Sequence, residues 1–256
     1  GGERAADGIM QFDVASAPDR SPLVLLRNAL RQRADVVMID EPLDRDTAQA
    51  AIEAAQTGHL VLARLAADDA AAAVGQLIDL GVEPYQVSLG VAGILAQRLV
   101  RQVCPACSTP RTPTTESVAT ARLAPALISS GTWMVGDGCS KCLDTGHKGR
   151  LAIHELLELG DDLRSLISGR APEHLIRVSA TRHGLVPLID DGVAKAAAGL
   201  TTLEEVLRVV PGLEDAVSGS NGTVVAGAGG DTRKSVLILE DDPDTQAILR
   251  LILDGA

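Results

Sequence analysis

Aromatic side chains are nearly missing from this 256-residue chain, which has only Phe12, Tyr85 and Trp133. A core must therefore be filled by Leu, Val, Ile and Ala, within an apolar content of 46%. No apolar run approaches the roughly 20 residues of a membrane-spanning helix, and the start carries no secretory leader pattern. A basic excess is also missing: the formal charge is −11, which argues against a general nucleic-acid or anionic-membrane binder but leaves room for a local basic patch. Nor is there a Gly-x-x-x-x-Gly-Lys-Ser/Thr loop, the usual backbone cradle for nucleotide phosphates.

The length allows one or two domains with a real core. The chain opens Gly1-Gly2-Glu3-Arg4 without Met and stops soon after Leu253-Asp254, so it is expected to be a piece of a longer protein. Its four cysteines form two Cys-x-x-Cys pairs, Cys104/Cys107 and Cys139/Cys142. In an acidic chain without a leader, such pairs point to a reducing cytoplasm and to metal binding ahead of disulfides.

Organisation follows from the apolar pattern. Ser21 and Pro22 start a helix with Leu23, Leu26 and Leu30 on one face. The run Val36-Val37-Met38-Ile39 ends in Asp40-Glu41. It reads as a strand buried on both faces that either delivers acids to a nucleotide or simply ends in them. Asp44 caps the next helix, residues 59–65 form a strand, and a helix from Asp68 to Leu80 closes on Gly81. Pro84 is expected to open a long helix reaching about Val103. The alternation implies an α/β fold with a mostly parallel sheet. Residues 151–156 read as a return strand, followed by helices near 161–168, 172–183, 187–198 and 202–209. The last of these opens on a capping box from Thr202 to Glu205. Residues 211–232 are a Gly/Ser/Ala-rich linker, and a strand and amphipathic helix follow from 233 to 256.

Cys104, Cys107, Cys139 and Cys142 supply four thiolates, a closed tetrahedral set for a structural zinc; incidental or redox-active thiols are the competing reading. A stapled segment over 104–150 needs little core of its own. His59 reads as a hydrogen-bonded residue at a strand's start ahead of any catalytic role. Glu240 and Asp241 either hold Mg²⁺ in a phosphoryl-accepting site or form a solvated helix N-terminus.

In order along the chain, several motifs resemble the secretion and pilus-assembly motor ATPases. They are Leu26-Arg27-Asn28-Ala29-Leu30-Arg31-Gln32, Asp35-Val36-Val37-Met38, Glu41 with Asp44, Thr47-Ala48 and Thr57-Gly58-His59-Leu60-Val61-Leu62. Further on come Gly81-Val82-Glu83-Pro84, Leu95-Ala96-Gln97-Arg98-Leu99-Val100-Arg101, Cys104-Pro105-Ala106-Cys107, Thr145-Gly146, Gly149-Arg150 and Thr201-Thr202-Leu203-Glu204-Glu205-Val206-Leu207.

The resemblance covers about residues 8–210 and implies a RecA-like P-loop NTPase core whose N-terminal part, with its phosphate loop, lies upstream. It implies a core over 1–103, a zinc-binding insertion over 104–150 and a helical C-terminal subdomain over 151–210. By resemblance Glu41 is the catalytic glutamate that activates water, Asp40 assists Mg²⁺-ATP, and the four cysteines hold Zn²⁺. The chain would act in a cytoplasmic homo-hexamer at the inner membrane, docked on platform and assembly proteins, with no nucleic-acid partner. Residues 236–253 resemble the opening strand and helix of a response-regulator receiver, with Glu240 and Asp241 as its Mg²⁺ pair and a histidine kinase as its partner. Three positions depart from the family: Asp40 stands where Gly is usual, Leu43 where Arg is usual, and Ala66 at the place of the family's histidine. The implied function is an ATP-driven motor for pilus assembly or type II secretion. Its rival is a degenerate, non-catalytic ring or docking subunit.

Overall fold

The computed structural model describes residues 10–12, 21–40 and 43–210, with the backbone of Leu237–Ile238. Helix α1 (Pro22–Arg31) starts where Ser21 Oγ accepts the Val24 N–H, and it buries Leu26. Strand β1 (Val36–Ile39) leads towards α2 (Arg45–Gln56). The α2 cap is Asp44, whose carboxylate accepts the Thr47 N–H at 2.7 Å; hydrogen bonding to Thr47 holds its pKa below the ordinary value. Strand β2 (Leu60–Ala63) pairs parallel with β1, Val36 opposite Leu60 and Ile39 opposite Ala63. Then come α3 (Ala70–Asp79), capped by Asp69, and α4 (Pro84–Gly90).

β1 is not covered on both faces. Val37 and Ile39 pack against Leu26, Ala50, Ala51 and Ala54 of α1 and α2. Strand alternation turns Val36 and Met38 to the other face, where they are 46% and 50% exposed because no described element lies over them.

The long helix expected after Pro84 also fails. It stops at Gly90, and Gly93–Val103 form β3, an eleven-residue strand. Leu, Ala, Gln and Arg favour helix one residue at a time, but Gly90 and Gly93 break the pattern and cross-strand pairing decides the rest. The chain continues through β4 (Ser108–Pro110), α5 (Thr115–Thr120), α6 (Pro125–Ser130), β5 (Met134–Gly136) and β6 (His147–Glu158). β6 pairs antiparallel with β3 from Gly93 opposite Glu158 to Val103 opposite His147. Four helices follow close to their expected spans: α7 (Asp161–Ser168), α8 (Glu173–Arg182), α9 (Leu188–Ala197) and α10 (Leu203–Val209). β4 and β5 are antiparallel, and the short β7 (Leu237–Ile238) lies parallel to β3 beside Ile94 and Leu95. The pairing is therefore mixed, where a mostly parallel sheet was expected.

The main core forms on one face of the β3–β6 ladder, where Ile94, Ala96, Val100, Ile153 and Leu157 meet α3, α4 and α7–α10. Trp133, from the cysteine-bearing segment, is buried in this same core, and its indole N–H donates to the Ile128 carbonyl at 3.0 Å. That segment thus shares the main core, with Leu123 and Leu127 packed against it as well. The outer edge of β6 is closed by α9: Asp191 accepts the His154 N–H at 2.8 Å and Lys195 donates to the Ala152 carbonyl at 2.8 Å.

The capping box at α10 is only half formed. Thr202 Oγ1 accepts the Glu205 N–H at 3.2 Å, but the Glu205 carboxylate turns away. It takes Arg101 at 2.8 Å and Arg208 at 2.7 Å, and the Arg101 backbone N–H at 3.0 Å. Charge-assisted forks outcompete a single backbone N–H. They also neutralise Arg101, which sits directly across the ladder from Arg150. Burial pushes the Glu205 carboxyl up, but hydrogen bonds from Arg208 and Arg101 outweigh it and hold the group well below the usual range.

Glu205→Gln should lower stability by about 2–3 kcal/mol at pH 7, read from urea unfolding. Because the folded pKa is depressed, the carboxylate's contribution is complete above the unfolded value of about 4.3 and is lost as pH falls through the folded value. The gap between wild type and variant should therefore close in acid.

Candidate functional site

Parallel pairing brings the C-terminal ends of β1 and β2 side by side, the edge where open α/β sheets bind ligands. Asp40 stands there with its side chain half exposed, 3.5 Å from the Arg64 guanidinium; the Arg64 N–H donates to the Ile39 carbonyl at 3.1 Å. Glu41 lies outside the described residues, as do Glu240 and Asp241. Leu43, in place of the family's Arg, is partly buried against both apolar clusters beside α2. Ala66, exposed after β2, brings no polar group to this edge. The residues after it are held by Arg98 of β3, whose Nη2 donates to the Ala67 carbonyl at 3.2 Å and lies 3.4 Å from Asp68 Oδ1. His59 has the role read for it from sequence: its Nδ1 bonds the Ala54 carbonyl at 3.2 Å, tying the start of β2 to the end of α2. Arg64 and Arg98 had not been singled out as site residues. The available signal was position: Arg64 directly follows the apolar β2, and Arg98 sits mid-strand in β3, where a partly buried cation needs a polar destination.

The second constellation is the cysteines. Cys104 follows β3 directly, Cys107 ends the turn after it, and Cys139 and Cys142 flank a matching turn before β6. All four Sγ atoms lie within 4.8 Å of one another. Individual separations are 4.0 Å (Cys104–Cys139), 3.8 Å (Cys107–Cys142) and 3.7 Å (Cys139–Cys142). Metal–sulfur bonds of about 2.3 Å in a tetrahedron give sulfur–sulfur edges of about 3.8 Å, so the set fits a tetrahedral ion. Backbone packing makes the fit: a Cβ on Gly136 would collide with the Gly146 carbonyl, and Gly146 itself has φ +72°. Burial pushes the Cys107 thiol up to about 12. Burial also acts upwards on Cys142, yet backbone N–H groups of Cys139 and Gly146, with the Cys139 side chain, bring it down to about 6. The Cys139 N–H donates to Cys142 Sγ at 3.2 Å, the support a ligating thiolate needs.

Fold and site together describe an α/β chain with an acid-ended parallel pair and a four-thiolate cluster. The family described as Type II/IV secretion system protein matches residues 3–208, and the chain belongs to that family. It is 44% identical over 183 residues to the "Type IV pilus assembly ATPase PilB" of Thermus thermophilus, covering 71% of this chain and 20% of that protein. It is 40% identical to the "Type II secretion system protein HxcR" of Pseudomonas aeruginosa, covering 79% of this chain and 39% of that one. It is also 40% identical to the "Type II secretion system ATPase E" of Vibrio cholerae, covering 79% and 40% respectively. The chain thus spans a fifth to two fifths of the length of these relatives. Among solved structures, the Yersinia pseudotuberculosis ATPase DotB shares the fold, with a TM-score of 0.53 at 20% identity over 78% of this chain and 43% of that one. No described helix is long and apolar enough to cross a membrane.

Chain purified without added metal should carry about one equivalent of a divalent ion by elemental analysis. Chelation should shift the emission of the single tryptophan, Trp133, because the segment that holds it loses its staple. Metal-free protein with four freely titrating thiols in the native fold would refute the site.

Proposed function

We propose that this chain supplies the C-terminal part of the ATP-hydrolysing core of a motor subunit that powers type IV pilus assembly or type II protein secretion. The observation that carries this reading is 40–44% identity to relatives named as ATPases of those systems, across most of the chain. Phosphoryl transfer needs positioning and charge stabilisation more than covalent help from the protein, and an acidic strand end suits both. In this reading Glu41 orients and deprotonates the attacking water, and Asp40, paired with Arg64, holds the Mg²⁺ that accompanies ATP. Bound magnesium would neutralise charge developing on the phosphates. Cys104, Cys107, Cys139 and Cys142 hold a structural zinc that joins β3 to β6 through the segment 104–150. The cradle for the phosphates comes from residues other than these 256, which contain no such loop.

The rest of the proposal follows the family. The subunit works in a homo-hexameric ring on the cytoplasmic face of the inner membrane, docked on platform and assembly proteins. Its core spans 1–103 and its helical subdomain 151–210. The linker 211–232 leads to the start of a receiver over 233–256, where Glu240 and Asp241 bind Mg²⁺ and a histidine kinase is the partner. Ala66 favours a second reading, a ring or docking subunit that has lost the chemistry, because a methyl group replaces the family's histidine.

This chain alone should show no ATP turnover once contaminating ATPases are removed. With the upstream part of the native protein present, Glu41→Gln should lower kcat by about a hundredfold or more, as loss of a general base does. Equal rates for wild type and variant would exclude Glu41 catalysis and favour the second reading.

A further inference from the structure

We propose that Glu155 is a positioning residue that ties the loop after β2, on the nucleotide edge, to the first turn of α9 through the two oxygens of one carboxylate. This rests on the nucleotide site proposed above.

Glu155 lies on the core face of β6, opposite Ala96, and is 6% exposed. Its Oε1 accepts the Ala70 N–H at 3.0 Å and its Oε2 accepts the Leu188 N–H at 3.1 Å. These two amides begin α3 and α9, and first-turn amides have no acceptor within their own helix. The α9 helix starts after Pro187 without a side-chain cap of its own, so Glu155 acts as its cap from another strand. At α3 the local cap is already engaged: Asp69 Oδ1 accepts the Ala72 N–H at 2.8 Å and Oδ2 meets Arg177 of α8 at 2.6 Å.

The loop that leaves Arg64 is thus held at Ala67 and Asp68 by Arg98, at Asp69 by Arg177 and at Ala70 by Glu155. The holding groups come from β3, α8 and β6, and Glu155 continues the tie to α9. Shifting α9 would pull on the residues that follow Ala66, in the loop that leaves Arg64, the partner of Asp40. Burial raises the Glu155 pKa and Asp69 raises it further, against the two N–H groups and Arg177, so the charged form is disfavoured by folding. Its two oxygens nonetheless meet one amide at each of two helix starts, and that geometry carries the tie.

Amide exchange on this chain tests the tie directly. Glu155→Ala should speed exchange at Ala70 and at Leu188 together, each by about tenfold, since each amide loses its acceptor. Unchanged exchange at either amide would overturn the proposal. If that variant does not fold, the isosteric Glu155→Gln decides: its single carbonyl can serve one amide, so exchange must rise at one of the two, and no change at both overturns the tie. With the upstream part of the native protein present, Glu155→Gln should lower kcat about tenfold while KM for ATP stays within about twofold. An active wild type with an equally active variant would overturn the positioning role. A wild type with no turnover would instead count against the nucleotide site, and the exchange result would then stand by itself for the structural tie.

Discussion

The antiparallel ladder between β3 and β6 is the constraint on which the described structure depends. Its backbone pairing runs from Gly93 opposite Glu158 to Val103 opposite His147. One face carries Ile94, Ala96, Val100, Ile153 and Leu157 into the main core. At one end the two strands enter the cysteine cluster, so the sulfur geometry inherits the ladder's register. Arg101 leaves the ladder for α10, while Arg98 and Glu155 leave it for the loop after β2. A slip of one residue would reverse the two faces and misplace all of these groups together.

Two buried glutamates show how differently a carboxylate can be accommodated. Glu205 is surrounded by guanidinium groups, and its pKa falls despite burial. Glu155 has two amides, a more distant Arg177 and an unfavourable Asp69, and its pKa rises. The first is a stabilising knot between β3 and α10, because each guanidinium is half exposed and keeps much of its own hydration. The second is a joint between two helix starts. Pairing alone would make Glu205 the more important residue, but the connections made by Glu155 reach closer to the proposed chemistry.

The cysteine segment lends Trp133, Leu123 and Leu127 to the main core. A metal held by thiolates would supply the folding free energy that so small a unit cannot obtain by burial. Gly136 and Gly146 make this workable by letting two backbones approach where a side chain would collide.

Local chemistry was legible in the sequence. Ser21, Asp44 and Gly81 marked helix ends, and the four C-terminal helices fell within a residue or two of their expected spans, because caps and apolar period act within a few residues. The cysteines were legible because a Cys-x-x-Cys turn already sets the sulfur spacing that a tetrahedral ion requires. Wherever the outcome depended on distant neighbours, the sequence could not decide it. Residues 93–103 have the composition of a helix and became a strand because β6 was there to pair with them. Val36 and Met38 read as core, yet coverage of a strand face is decided by what lies over it. Glu205 had the spacing of a capping box, but Arg101 reached it from a strand far away in sequence. Nothing near Glu155 in the chain indicates that its two oxygens would meet Ala70 and Leu188, because only the tertiary fold brings those amides to one carboxylate.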